Sequence, residues 1–269
     1  MNALLRQHAP ISDAAWKQID AQATATLKTL LAARQLVDFN GPLGWSVAAV
    51  STGRVRQAPL PLHDGVTTRV RLSQPLTELH VPFEVSRVEL DAIDRGAGDP
   101  DLKTVRHAAR AAAIAEDRAV FQGYGPGEIV GIAQACGDRA VPIPADYENY
   151  PDAVAEATHR LRLAGVSGPY GIALGPRCYT GLTRSTSRGY PIIDHVRKLV
   201  DGPIVSAPAA NGAVVMSVRG GDFELTVGRD FSIGYLDHSA QSVLLYLQES
   251  FTFRVLSPEA AIPLTYLQA

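Results

Sequence analysis

Arg54-Val55-Arg56-Gln57-Ala58-Pro59-Leu60-Pro61-Leu62-His63-Asp64-Gly65-Val66-Thr67-Thr68-Arg69-Val70-Arg71 is a stretch that cannot hold itself together. Its two ends alternate charged and apolar residues, as strands do. Between them, Pro59 and Pro61 interrupt pairing and Asp64-Gly65 supplies a turn. Residues 46–74 therefore read as a long two-stranded hairpin with too few apolar residues for a core of its own. Such an arm has to be ordered by something outside its own domain.

Working outward, residues 12–35 read as an amphipathic helix. Ser12 and Asp13 offer capping oxygens, and Trp16, Ile19, Ala23, Leu27, Leu30 and Leu31 recur at helical spacing. Gly41-Pro42-Leu43-Gly44-Trp45 breaks it. Beyond the arm, Leu76–Val85 alternates as a strand and Glu89–Arg95 forms a short helix stopped at Gly96. Asp99–Phe121 predicts a second long helix, with Leu102, Val105, Ala109, Ala112, Ala113 and Val120 on its buried stripe. From Gly123 the texture changes to short alternating helices and strands, a compact α/β lobe. The strand patterns Val243–Leu247 and Phe251–Val255 are expected to return to the sheet begun at Leu76.

The bulk properties set limits on function. The 269 residues are 46% hydrophobic and 19% charged, the balance of a chain with a packed core. A net charge of −2 gives no general attraction to nucleic acid or to an anionic membrane. Cys136 and Cys178 lie far apart, which points to a reducing compartment, and the first residues show no apolar signal core; a cytoplasmic protein is the expectation. Only four of the 25 basic residues are lysines. The arginine bias suits desolvated contacts between protein surfaces, or reflects a GC-rich genome.

No catalytic constellation stands out. There is no Gly-x-Ser-x-Gly elbow and no phosphate loop, and no histidine pairs with another ligand at metal-binding spacing. Gly123-Tyr124-Gly125-Pro126-Gly127-Glu128 fails as a dinucleotide loop, because Glu128 stands where the third glycine belongs. Glu116-Asp117 reads as an exposed or interfacial acid pair on a helix face. The chain is expected to be no enzyme and to need no cofactor or metal.

Several strings, taken in order, carry a resemblance. They include Ala9-Pro10-Ile11-Ser12, Gly41-Pro42-Leu43-Gly44-Trp45, Glu89-Leu90-Asp91-Ala92-Ile93-Asp94-Arg95-Gly96, Ala115-Glu116-Asp117, Arg219-Gly220-Gly221-Asp222-Phe223 and Glu249-Ser250-Phe251-Thr252-Phe253. Across essentially the whole chain the sequence resembles the encapsulins, also called linocin-like bacteriocins. The resemblance implies an α+β chain with the Hong Kong phage-type major capsid fold. Its parts would be an N-terminal helix arm over 1–45, an E-loop over 46–74, a P-domain over 75–129 and 223–269, and an A-domain over 130–222.

It further implies a shell protomer that assembles with itself into an icosahedral homo-oligomer, with 60 protomers as the smallest such shell, binding neither nucleic acid nor membrane. The partner inside would be a cargo enzyme, such as a ferritin-like protein or a peroxidase, docked by its C-terminal targeting peptide. The implied dock lies between the N-terminal helix and the P-domain, with Leu27, Leu31, Arg34, Asp38, Phe231, Ile233 and Tyr235 as lining candidates. For the leucines plain core packing is the alternative, and for Arg34 and Asp38 a simple helix pair. Arg184, Ser185, Thr186, Ser187, Arg188 and Gly189 would form the loop around a fivefold pore. Two family features are not carried over. No lysine lies between Lys28 and Lys103 to cross-link the arm, and Arg87-Val88 stands where some members place a flavin-stacking tryptophan. A viral capsid protein of the same fold, packaging DNA, is the alternative reading.

Overall fold

The computed structural model describes residues 4–187 and 189–266. Helix α1 spans Asp13–Leu30, and its N-cap Ser12 accepts the amide hydrogen of Ala15. Trp16, Ile19, Ala23 and Leu27 are its buried stripe. The helix stops at Leu30, five residues short of expectation, for a definite reason. The N–H groups of Ala32 and Ala33, which would have continued it, are both bound by the carboxylate of Asp117 at 3.0 Å. A separate 3-10 turn, Ala33–Gln35, follows.

Strand β1 is Asp38–Asn40; β2, Ala49–Gln57, and β3, Arg69–Pro75, form the expected hairpin, paired Val55 to Arg71 and Gln57 to Arg69. The pairing is broken near Gly53, whose φ of +70° needs a glycine. Among the described residues the arm carries the most exposed large apolar side chains, Leu60 at 79% and Leu62 at 86%. Strand β4, Thr77–Ser86, leads into α2, Arg87–Asp94, and then α3, Lys103–Gln122. The start of α3 lies four residues later than expected. Asp101 accepts the Lys103 amide hydrogen through its side chain and donates its own N–H to Glu89, so the first turn forms after it.

The second lobe contains α4 (Ile132–Cys136), β5 (Val141–Pro142), α5 (Tyr150–Leu163), β6 (Tyr170–Leu174) and α6 (Pro176–Arg184). It continues through β7 (Thr186–Ser187), β8 (Tyr190–Pro191), α7 (Ile192–Arg197), β9 (Ile204–Ser206) and β10 (Ala213–Ser217). The chain then returns to the first lobe with β11 (Phe223–Val227), β12 (Ser232–His238) and β13 (Ser242–Val255), and ends in β14 (Ala261–Thr265).

Strand β13 organises the first sheet. Ten of its residues, Ser242 to Phe251, pair with β4 along one edge. On the other edge it pairs with β12 and then β11, and β11 pairs in parallel with β1. Phe251 is paired with both Thr77 and Val227, so β11 and β12 lie end to end opposite β4. The two strand patterns read in the tail are thus one continuous strand, which does return to the sheet begun after the arm.

The end of the chain differs from the expectation that residues 223–269 build a single lobe. Strand β14 lies in the second sheet, in the order β5-β14-β10-β6-β9. Its first four residues are all buried, as befits a strand with neighbours on both edges. Tyr266 fastens the end, its hydroxyl 3.0 Å from Cys178 Sγ and 3.2 Å from the hydroxyl of Tyr147.

Candidate functional site

The inward face of β12 packs against α1. Leu27, Leu31, Ile233, Leu245 and Leu247 belong to one apolar cluster there, with Phe231 and Tyr235 packed at its margin. A groove of about 250 Å³ opens along this seam, lined by Leu27, Phe231 and Ile233, with Thr24 and Asp20 on the helix side and Leu4 and Arg6 from the N-terminal segment. That segment is tied down. The Tyr235 amide donates to the Leu4 carbonyl at 2.9 Å, and Arg6 binds Asp20 at 2.7 Å while lying 3.9 Å above the Trp16 ring.

The seven proposed docking residues therefore separate. Leu27, Phe231 and Ile233 line the groove. Leu31 is core to the same cluster, and Tyr235 packs against it while its hydroxyl meets His238 Nδ1 at 2.5 Å. Arg34 and Asp38 lie off the groove and line a different, smaller cavity of about 130 Å³ beside Gly220 and Asp222. They are not a helix pair, since the helix has ended before them. Asp38 instead accepts the Gly221 N–H at 2.6 Å, at the junction of β1 with β11.

Arg34 is the centre of a buried charge cluster. Its guanidinium donates to Glu116 at 2.6–3.0 Å, to Asp230 at 2.9 Å and to Glu249 at 2.5 Å. It also lies 5.0 Å from the Phe231 ring and 4.9 Å from the Phe39 ring. Glu116 and Glu249 are fully buried, and Asp117 nearly so. Burial opposes the charge on Arg34, but the hydrogen bonds and charges of Glu116, Glu249 and Asp230 outweigh it and raise its pKa. Burial, aided by the Glu116 charge, pushes the Asp117 carboxyl up to about 7 despite its two backbone N–H donors. Burial and then Glu116 push Glu249 well above the usual carboxylate range.

Sequence reading placed Glu116 and Asp117 at an exposed or interfacial face, and the structure corrects this. The signal was in the spacing: Ala109, Ala112, Ala113, Glu116 and Val120 recur at helical intervals, so Glu116 falls on the buried stripe.

The candidate pore loop is more regular than expected. Thr186 pairs with Pro191 and Ser187 with Tyr190, a tight hairpin closed through Gly189 with φ +83°. Arg184 is exposed at the end of α6, and Ser185 accepts the Ile192 amide hydrogen at 3.0 Å through its carbonyl. Arg188 lies outside the described residues. Among the described residues there is no cluster of His, Cys, Asp and Glu that could hold a metal ion, and no helix is long and apolar enough to cross a membrane.

Comparison with known proteins decides the family. The profile of the family described as "Encapsulating protein for peroxidase" matches residues 1–252. The chain belongs to the encapsulin shell-protein family. It is 54% identical to the type 1 encapsulin shell protein of Rhodospirillum rubrum, over 98% of this chain and 96% of that one. It is 44% identical to the type 1 encapsulin shell protein of Mycobacterium tuberculosis, over 99% of this chain and all of that one. The virus-like particle of Pyrococcus furiosus superposes with a TM-score of 0.65 at 16% identity, covering 93% of this chain and 98% of that chain. The capsid of Myoviridae phage XM1 gives 0.56 at 12%, covering 88% and 92%. The fold of this family member is therefore the Hong Kong phage-type capsid fold, in an α+β chain, and its relatives are structural shell proteins.

Proposed function

We propose that the protein is the protomer of a closed icosahedral shell that encloses a cargo enzyme, held by that enzyme's C-terminal peptide in the groove between α1 and β12. The observation that carries the docking reading is the groove itself, where Leu27, Phe231 and Ile233 meet across the seam. An extended peptide fits this place for two reasons. Its apolar side chains would cover the exposed margin of the cluster, and among the described residues no strand pairs with β12 on the edge away from β13, where the Leu4 carbonyl takes the Tyr235 N–H. Closure follows from heterologous contacts repeated around symmetry axes. The β2–β3 arm, which has no core of its own, gains order by lying on a neighbouring copy. The Arg184–Gly189 loop is the reading for the pore, with small molecules or ions as its traffic.

The test of the dock is Thr24→Trp. Thr24 is exposed on α1 and lines the groove, so the larger ring fills the space without entering the core. Shells purified from the native cell are analysed by mass spectrometry for enclosed protein. The expectation is one dominant enzyme with a C-terminal extension in wild-type shells and its loss from Thr24→Trp shells of normal size. Full retention in the variant overturns the assignment of this groove.

A further inference from the structure

Glu249 is a fully buried acid in β13. Its Oε1 receives Arg34 Nη2 at 2.5 Å, and the same nitrogen donates to Glu116 Oε2 at 2.6 Å. Two carboxyl groups thus crowd one guanidinium nitrogen. The second oxygen of Glu249, Oε2, is buried without a hydrogen-bond partner. An ionised Glu249 would leave that oxygen, which carries part of the charge, buried with no donor, although Arg34 binds the other.

We propose that Glu249 is a positioning residue for the docking groove: it holds a proton in the folded protomer, and that proton keeps Arg34, and through it Phe231, in place. The inference rests on the reading of the groove as a dock. The path to Phe231 is short. Asp230 Oδ1 accepts both Arg34 Nη1 at 2.9 Å and the Phe231 backbone N–H at 2.9 Å, and the guanidinium faces the Phe231 ring. Arg34 therefore grips Phe231 by its backbone and by its ring, and Phe231 forms a wall of the groove.

The charged groups facing Glu249 come from every element around it. They are Glu116 and, behind it, Asp117 from α3, Asp230 from the β11–β12 turn, and Arg34 from the segment after α1. One cation faces four acids. With Glu249 neutral, Arg34 is shared between the carboxylates of Glu116 and Asp230 and still donates to Glu249 Oε1, which is the geometry described. Ionisation places two dry carboxylates on the same nitrogen, and their repulsion is relieved only by drawing Arg34 away from Asp230 or by admitting water. The direction follows from burial, which favours the neutral acid: the groove is firm at lower pH and loosens as pH rises through the folded-state pKa of Glu249.

The experiment follows amide exchange of residues 229–235, corrected for intrinsic rates, in the full chain as purified. The range runs from about pH 5 to about pH 10, and Trp16 emission is read in parallel in a Trp45→Phe background. Wild-type protection is expected to fall by about tenfold or more as Glu249 ionises, the change given by one pKa unit of coupling. Glu249→Gln, a neutral copy of the protonated acid, should keep the low-pH protection throughout. A second variant, Glu116→Gln, removes the neighbouring negative charge and should move the midpoint to lower pH. A flat wild-type profile, a Glu249→Gln profile with the wild-type slope, or an unmoved Glu116→Gln midpoint each overturns the proposal. No cargo is needed for this measurement. Its failure is therefore distinct from failure of the docking reading, which cargo retention reports.

Discussion

Gly234 lies under the ring of Tyr246, so close that a Cβ on it would come within 2.2 Å of the Tyr246 Cζ atom. The two residues are directly paired across β12 and β13, and His80 of β4 stacks on the same ring with centroids 4.3 Å apart. One tyrosine thus binds three strands together on the face turned away from α1. Gly234→Ala forces the ring off this position. The expected cost is about 1–3 kcal/mol, as for other overpacked sites, read as a lowered urea midpoint with an unchanged slope. A variant as stable as wild type would show that the ring has room to move.

Asp117 ends one helix and starts the next turn by taking two backbone N–H groups. Asp117→Ala leaves both bare in a dry place, at about 1–3 kcal/mol for each. The pH dependence has a definite sign. Because burial raises this carboxyl from 3.8 to about 7, its stabilising contribution is complete below pH 3.8 and is lost as pH rises through about 7. The slope from this group is about 1.4 kcal/mol per pH unit at its steepest. Asp117→Asn, which cannot ionise, should remove that part of the slope in urea titrations run at successive pH values. An unchanged slope would assign it to other groups.

The arm should matter to assembly and not to folding. Leu60 and Leu62 touch no core, and deleting residues 57–66 removes only the far end of the hairpin. Wild-type protein is expected to elute as particles of about 60 protomers or a larger icosahedral multiple. The deletion should elute as small species with an unchanged circular dichroism spectrum. Intact particles from the deleted chain would mean that the arm closes nothing.

Arg184 stands exposed beside the 186–191 hairpin. If this loop rings an axis, repeated arginines there raise a positive potential, which speeds small anions and slows ferrous iron. Arg184→Ser should then slow anion entry and quicken iron entry into shells, measured by stopped-flow with a trapped indicator. Equal rates in variant and wild type would take this side chain out of the pore.

The elements that were legible in the sequence share a property: their signals are local. Ser12 caps α1 as read, the arm is a hairpin because its alternation and turn residues say so, and Leu76–Val85 forms a strand by its period of two. What escaped the reading depends on partners distant in the chain. The end of α1 is set by Asp117, 85 residues from Ala32. Arg34 and Asp38 are four apart, yet one turns to α3 and β13 and the other to Gly221. Strand β14 joins the second lobe because an inner place between β5 and β10 was open to it. Of the docking candidates, Leu27, Phe231 and Ile233 meet because α1 lies along β12. Helical periodicity gives the buried face of α1 but not what covers it.

The chain crosses between its two five-stranded sheets three times, after α3, before β11 and again between β13 and β14. The crossings are bound by a common interior as well. Phe223, Leu225, Val227, Phe251 and Phe253 of the first sheet belong to the same apolar cluster as Ile172, Leu174, Val215 and Ile262 of the second. A body stitched three times, with one apolar cluster running through both sheets, resists bending between them. Whatever curvature a shell of such tiles acquires is therefore decided at the seams between them. The β2–β3 arm, standing clear of that interior, is the part free to follow the angle.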